Sequence, residues 1–285
     1  MYRHKKKFSQ HFLHDDGVLT EIIEQAGLED NDIVWEVGAG LGSLTEHLLN
    51  KNINLTIFEI DNDLIPTLTR KYGKQCVIIH GDVLKIDWKS IAGNKSNIKI
   101  VTNLPYQITS PFLYKITENH LMFDSIVIML QKEVAKRVCA MPGNKDYGVL
   151  SLKTQFFFNT NYLFDVSPDK FSPPPKVFSA VIRLTPRKDT PVLENIDLFW
   201  QIIEASFRMK RKTLKNNLES MMRDINGETP FVRESGERSS PVRINGVPPF
   251  ELDLNRRGES LSEEEFIFLY NYFLQYTVSR SESSN

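Results

Sequence analysis

Between residues 18 and 130, strand-like and helix-like stretches alternate, and that alternation leaves few folds open to the chain. Short apolar runs rich in β-branched residues occupy 32–37, 53–59, 75–80, 98–102 and 123–130, and they predict buried strands. Helical stripes fall between them. Val18, Leu19, Ile22, Ile23 and Ala26 share one helical face, with Asp15 or Asp16 as cap and Gly27 as stop. Leu41, Leu44, Leu48 and Leu49 form a second inward face ending near Asn50. A third helix belongs in the sixties, with Pro66 in its first turn. A fourth takes Ser110 as N-cap and Pro111 as first residue and runs to about Asn119. Strand and helix in this order predict an α/β fold, a mostly parallel sheet covered on both faces.

Past Gln131 the rhythm changes. Helices are expected over 132–138 and 149–154, and strands over 162–166 and 176–184. Two late strands with no long helix between them would close the sheet antiparallel. A linker from Pro186 to Pro191 leads to helical patterns at 197–207, 210–223 and 262–276. The last opens with Ser262 and Glu265 at capping-box spacing. Residues 224–258, rich in Gly, Pro, Ser and charge, read as a flexible insertion. The expected organisation is an α/β domain over 1–187 and a smaller helical domain over 188–285.

In an open α/β sheet, ligands bind at the carboxyl ends of the strands, so those ends carry the functional reading. After the fourth long strand comes Asn103-Leu104-Pro105-Tyr106. The Asn103 side-chain oxygen and the Leu104 carbonyl, fixed by the following proline, are two acceptors that can converge on one planar amino group. The Tyr106 ring offers a face for a base drawn out of its stack. Alone, the stretch also fits an Asx turn with a proline-stiffened loop. After the first long strand, Glu36-Val-Gly38-Ala-Gly40-Leu-Gly42 fails the dinucleotide fingerprint, because the sixth position from Gly38 is Ser43. Glycines at positions one, three and five, with Glu36 two residues ahead, fit a loop for S-adenosylmethionine, which has no pyrophosphate to cradle. Glu59, ending the second strand, is placed to accept from both ribose hydroxyls. Asp82, beside Val83 after the third strand, is placed to accept from the adenine amine.

Charge and cysteine content narrow the partners. A net charge of −1 makes no global case for nucleic acid, so distribution decides. Lys5, Lys6 and Lys7 form one basic cluster with Arg3; Arg208, Lys210, Arg211, Lys212 and Lys215 form a second without an interspersed acid. Such clusters can be solvated faces, but beside an amine-holding stretch they predict contacts to RNA phosphates. Cys76 and Cys139 match no metal spacing and read as buried thiols of a reducing cytoplasm. No apolar run approaches the length of a membrane span, and no apolar signal core follows the basic start, so no membrane association is expected.

Along nearly its whole length the chain resembles the KsgA family of small-subunit ribosomal RNA adenine dimethyltransferases. The runs that carry the likeness begin with Phe8-Ser-Gln-His-Phe-Leu-His-Asp15, the glycine loop, Phe58-Glu-Ile-Asp61, His80-Gly-Asp82 and Asn103-Leu-Pro-Tyr106. They continue with Met129-Leu-Gln-Lys-Glu-Val-Ala135, Phe171-Ser-Pro-Pro-Pro-Lys-Val177 and Arg211-Lys-Thr-Leu-Lys-Asn-Asn-Leu218. The resemblance implies a Rossmann-like S-adenosylmethionine-dependent methyltransferase with a smaller C-terminal helical domain. It implies a cytoplasmic, monomeric enzyme with no metal, acting on the rRNA of an immature small subunit. There it would convert two adjacent adenosines in the 3′-terminal hairpin of 16S rRNA to N6,N6-dimethyladenosine. By position it implies cofactor contacts from His11, Leu13, Gly38, Glu59, Asp82 and Asn103. His11 stands where the family usually has Asn. Phe171 would join Tyr106 in stacking the base, or else anchor the core ahead of three prolines. A large-subunit rRNA adenine methyltransferase of the resistance type shares some of these runs, but Arg211 to Leu218 and Gln131-Lys-Glu-Val favour the small-subunit family. A non-catalytic RNA-binding assembly factor is the rival of another class, and intact Glu59, Asp82, Asn103 and Tyr106 argue against it.

Overall fold

The computed structural model describes residues 11–219 and 252–283. The chain forms two compact units, Met1–Cys139 with Phe157–Thr190, and Ala140–Phe156 with Pro191–Asn285.

The first unit opens with a two-residue strand β1 (Phe12–Leu13) and helix α1 (Asp16–Ala26). Asp15 caps α1 by accepting from Val18 N–H at 3.0 Å, and Gly27, left-handed at φ 54°, ends it. Then follow β2 (Ile33–Val37), α2 (Ser43–Leu49), β3 (Asn54–Glu59), α3 (Ile65–Tyr72), β4 (Val77–His80), α4 (Trp88–Ala92) and β5 (Ile98–Asn103). A 3-10 turn, Tyr106–Ile108, runs into α5 (Thr109–Glu118), and β6 (Phe123–Gln131) and α6 (Lys132–Val138) follow. After α7 (Val149–Phe157) come β7 (Phe158–Val166), β8 (Phe171–Ser172) and β9 (Ser179–Pro186).

Seven strands form one sheet in the order β4-β3-β2-β5-β6-β9-β7. The first five in that order are parallel, and β9 runs antiparallel to both β6 and β7, which closes the sheet as the sequence predicts. The order reverses between β2 and β5, and a crevice opens at such a switch. The central strands read as apolar runs because both faces are covered. Val34, Ile57, Ile100, Val101, Ile126 and Ile128 are all 1 % exposed or less. Beneath the loops, Trp35 meets Phe58, Trp88 and Phe123 edge-on at 5.1, 6.0 and 6.3 Å between ring centres.

In the second unit, α8 (Ile196–Phe207) is capped by Asn195, whose side chain accepts from Leu198 N–H. Phe156 packs on Phe199 and Trp200 at 5.3 and 5.2 Å, and Lys153 pairs with Glu204 at 2.7 Å. These contacts explain why 140–156 groups with helices that come much later in the chain. The last helix, α9 (Glu263–Ser283), starts on the expected capping box: Ser262 N–H donates to Glu265 at 2.8 Å and Glu265 N–H to Ser262 Oγ at 3.3 Å.

Several expectations are corrected. Leu41 does not face inward with Leu44 and Leu48; it precedes α2 and is 40 % exposed. Ser110 and Pro111 lie inside α5, because the Tyr106–Ile108 turn already winds the chain before them. β9 starts at Ser179, leaving Lys176, Val177 and Phe178 outside it. Arg208 to Lys212 form an exposed turn, and helix resumes only at Leu214; its expected end lies outside the described residues. Of the expected insertion, 224–251 lies outside the described residues. Residues 252–258 are fixed: Leu252 is 1 % exposed, and the carbonyls of Leu254 and Arg256 accept from Lys215 and Leu214 N–H at 2.9 and 2.8 Å. Cys76 and Cys139 are half-buried free thiols. No helix among the described residues is long and apolar enough to cross a membrane.

Candidate active site

One cleft at the carboxyl ends of β2, β3, β4 and β5 gathers every cofactor and catalytic candidate named from the sequence. Its first wall is the glycine loop after β2. Gly38 adopts φ +74°, and a side chain there would put its Cβ 3.1 Å from Pro105 Cδ. At Gly40, with φ +60°, a Cβ would lie 2.8 Å from the Phe12 ring. Both residues must be glycine for the backbone to form this wall. Phe12 and Leu13 reach the cleft because β1 pairs with β8, Leu13 opposite Phe171.

Glu59, at the end of β3, is 4 % exposed. It accepts from Gly40 N–H at 2.9 Å through Oε2 and from Asp61 N–H at 2.8 Å through Oε1. Burial pushes its carboxyl above the ordinary range, and the backbone hydrogen bonds oppose that shift. Glu36, 1 % exposed, accepts from Thr45 Oγ1 at 2.6 Å. Its burial, opposed by the Thr45 hydrogen bond and reinforced by Glu59, raises it to about 8. Asp82 follows β4 and turns one oxygen back to Leu84 N–H at 3.0 Å; its other oxygen has the exposed Lys85 ammonium at 4.0 Å.

The fourth wall is Asn103 to Tyr106. Thr102 Oγ1 donates to Val37 O at 2.6 Å, and Leu104 N–H donates to Met129 O at 3.1 Å, so the stretch is tied on both sides. Leu104 is buried, and Asn103 and Tyr106 are half-buried at the cleft. Tyr106 Oη and Ser179 Oγ lie 2.5 Å apart, which fixes the ring from the start of β9. Burial raises the Tyr106 phenol above its usual value, with the Ser179 hydrogen bond opposing.

His11 lines the cleft with its ring centre 5.9 Å from that of Tyr106. Its Nδ1–H donates to Pro173 O at 2.7 Å, which leaves Nε2 as the other hydrogen-bonding atom. Phe171 lines the cleft but is 3 % exposed and packs in the core with Leu13 and Val181. Sequence reasoning missed Leu41 and Ile60, which line the cleft at 40 % and 42 % exposure. Ile60 sits inside the matched Phe58 to Asp61 run, where an apolar residue between two acids was the available signal. None of the basic candidates among the described residues lines the cleft. Lys5, Lys6 and Lys7 are outside the described residues; Arg208, Lys210, Arg211 and Lys212 are exposed on the turn after α8, and Lys215 is half-buried in the helical segment beyond.

The residues present fit S-adenosylmethionine. Glu59 and Asp82, with no lysine or arginine among the described residues that line the cleft, suit a ligand that is cationic and carries hydroxyls. The glycine cradle admits a close backbone approach.

A family model described as ribosomal RNA adenine dimethylase matches residues 1–233. The chain belongs to that family. A ribosomal RNA small subunit methyltransferase A from Coxiella burnetii (strain Dugway 5J108-111) is 41% identical over 270 residues, covering 94% of this chain and 96% of the relative. One of the same name from Clostridium botulinum (strain Kyoto / Type A2) is 40% identical over 268 residues, covering 93% and 92%. A dimethyladenosine transferase from Plasmodium falciparum superposes with a TM-score of 0.72 at 26% identity, covering 93% of this chain and 98% of that one. The 23S rRNA methyltransferase ErmE superposes at 0.64 with 22% identity, covering 91% and 98%, and so shares the fold. The names of the small-subunit relatives favour the small-subunit reading over the resistance-type rival.

Glu36 gives this family member a testable pH signature. Its carboxyl titrates near 8 in the fold and near 4.5 unfolded, so folding keeps a proton that the unfolded chain releases. Stability is fully present below the unfolded value and falls as pH rises from about 4.5 towards 8, by up to ~1.4 kcal/mol per pH unit. Glu36→Gln, which keeps an acceptor for Thr45, should flatten that slope and gain on the parent at pH 8. Denaturant unfolding from pH 5 to 8 measures it; parallel slopes for both proteins would contradict the assignment.

Proposed function

We propose that the cleft holds S-adenosylmethionine against the glycine loop and presents adenine N6 to it at Asn103 to Tyr106. The activity itself follows from family membership: the chain is an S-adenosylmethionine-dependent rRNA adenine N6,N6-dimethyltransferase whose substrate is small-subunit rRNA. The observation that carries the residue-level reading is the convergence of Glu59, Asp82, Asn103 and the glycine loop on one cleft at the sheet's switch point. The proposal extends to the substrate form, two adjacent adenosines of the 3′-terminal 16S hairpin in an immature small subunit, and to a monomer working in the cytoplasm.

In this reading Glu59 accepts from the ribose hydroxyls, Asp82 from the adenine amine of the cofactor, and His11, Leu13, Gly38, Gly40 and Val83 shape the walls. Glu36 lines the same cleft ahead of the glycine loop, its carboxyl tied to Thr45 at the start of α2. S-adenosylmethionine supplies a methyl group already activated on a sulfonium. The exocyclic amine of adenine is a poor nucleophile, because its lone pair is delocalised into the ring. Asn103 Oδ1 and the Leu104 carbonyl accept its two hydrogens and favour a tetrahedral nitrogen with the lone pair directed at the cofactor. Pro105 fixes that carbonyl, and Tyr106, held by Ser179, stacks on the base. Positioning of this kind can supply most of the acceleration. Each transfer would cost N6 one proton, released to solvent, so a single N–H remains after the first and one acceptor gives up its partner in the second. Phe171 supports the cleft from the core beneath β1. In place of the expected 1–187 and 188–285 split, the unit Met1–Cys139 with Phe157–Thr190 carries the chemistry. The unit Ala140–Phe156 with Pro191–Asn285 contacts RNA through Arg208, Lys210, Arg211, Lys212 and Lys215, joined by Lys5, Lys6 and Lys7 of the basic start.

Asn103→Ala should slow methyl transfer about 10²–10³-fold, the scale for one positioned polar group, with RNA affinity unchanged. Tyr106→Phe keeps the ring and loses only the Ser179 hydrogen bond, so most activity should remain; Tyr106→Ala should abolish it. A single-turnover assay with labelled cofactor on immature small subunits reads all three. Full activity in Asn103→Ala would leave a non-catalytic RNA-binding factor as the better reading.

Lys212→Glu with Lys215→Glu should weaken rRNA binding and leave cofactor affinity intact. The log–log salt slope should fall by roughly 0.7–0.9 for each phosphate that the protein no longer neutralises. Salt titrations of RNA binding check this, and an unchanged slope would make the turn a solvated surface.

A further inference from the structure

The loop that carries Asp82 is held by a lysine from another element. Lys115, on α5, lies far from the loop in sequence, yet its ammonium donates to the carbonyls of Val83, Leu84 and Ile86 at 3.1, 2.9 and 2.6 Å. It thereby uses all three of its donors on one short stretch of backbone. The same ammonium lies 4.8 Å from the centre of the Trp88 ring. Trp88 Nε1–H donates at 3.0 Å to Val83 O, the carbonyl that also accepts from Lys115. Trp88 is 2 % exposed and locked edge-on against Phe112 of the same helix as Lys115 at 5.6 Å. Asp82 and Val83 both line the cleft.

We infer that Lys115 is a positioning residue that sets the place of Asp82 and Val83 for the adenine end of the cofactor, through the carbonyls of the loop 83–86. The inference rests on the reading of Asp82 as the adenine acceptor. The loop is well suited to such control. Its amides are already spent locally, Leu84 N–H on the Asp82 side chain and Lys85 and Ile86 N–H on the Asp82 carbonyl. Its outward carbonyls therefore depend on Lys115 and Trp88. α5 also begins directly after the Tyr106–Ile108 turn, so one helix carries the lysine that holds the adenine loop and continues the stretch that holds the target amine. A lysine present only for stability would leave ligand affinity alone once the protein is folded.

Calorimetry with S-adenosylhomocysteine and with 5′-methylthioadenosine tests this on the full chain. Lys115→Met should weaken both by about tenfold, part of what hydrogen bonds from a charged group are worth. Both probes should lose the same factor, because the defect is at the adenosine end that they share. Lys115→Arg, which keeps the charge and several donors, should recover part of the loss. In turnover, Lys115→Met should raise KM for the cofactor and leave kcat close to that of the parent. Glu59→Ala serves as the reference for the site. Loss of affinity in Glu59→Ala with unchanged affinity in Lys115→Met overturns the inference; unchanged affinity in both overturns the assignment of the cleft. Should Lys115→Met fail to fold, Trp88→Phe, which keeps a ring but removes the donor to Val83 O, decides: weaker binding of both probes supports the inference and parental affinity overturns it.

Discussion

The close approach of the Gly38 backbone to the Pro105 ring is the constraint on which the site depends. The pyrrolidine ring of Pro105 occupies the space a side chain at 38 would need, with a hypothetical Cβ only 3.1 Å from Cδ. β2 and β5 are parallel neighbours, and their crossovers leave towards opposite edges of the sheet. The glycine loop and the Asn103 to Tyr106 stretch are therefore the two lips of one crevice. Hydrogen bonds set each lip: Gly38 N–H to Phe58 O at 2.7 Å on one side, Leu104 N–H to Met129 O at 3.1 Å on the other, and Thr102 Oγ1 to Val37 O between them. In the proposed reading this geometry puts methyl donor and acceptor amine against a common wall, which is the arrangement that positional catalysis requires.

Charge placement fits the same reading. Burial raises the Glu36 and Glu59 carboxyls and costs the free protein stability. In the proposed reading, a cationic, hydroxyl-bearing ligand at Glu59 returns part of that cost. The loops bearing these groups are short, and their stiffness comes from below. The cluster of Trp35, Phe58, Trp88 and Phe123 spans β2, β3, α4 and β6 and gives the strand ends a packed base.

Much of this was legible in the sequence, for reasons that differ by element. The parallel strands announce themselves because strands buried on both faces must be apolar throughout. Glu59, Asp82 and Asn103 could be placed at one cleft because a strand end is a fixed address in such a sheet. Asp15, Gly27 and the Ser262–Glu265 box could be read because capping is a local hydrogen-bonding problem. What escaped depends on partners distant in sequence. β1 exists only because β8 pairs with it. Leu41 has the spacing of a core residue, but the left-handed turn at Gly42 ends the loop before the helical period starts. Residues 210–212 of the basic turn read as the start of a helical pattern in the sequence. The buried Asn217 side chain, bonded to the carbonyls of Ser206 and Met209 at 2.9 and 3.3 Å, holds it as a turn instead. Lys115 carries no sequence signal at all, since its three acceptors are backbone carbonyls.

The most direct test of the account is mass analysis of ribosomal RNA from cells with and without this chain. The account predicts N6,N6-dimethyladenosine at two adjacent positions of small-subunit rRNA only when the chain is present. Dimethyladenosine that persists in its absence, or that depends on the chain but lies in large-subunit rRNA, would contradict it.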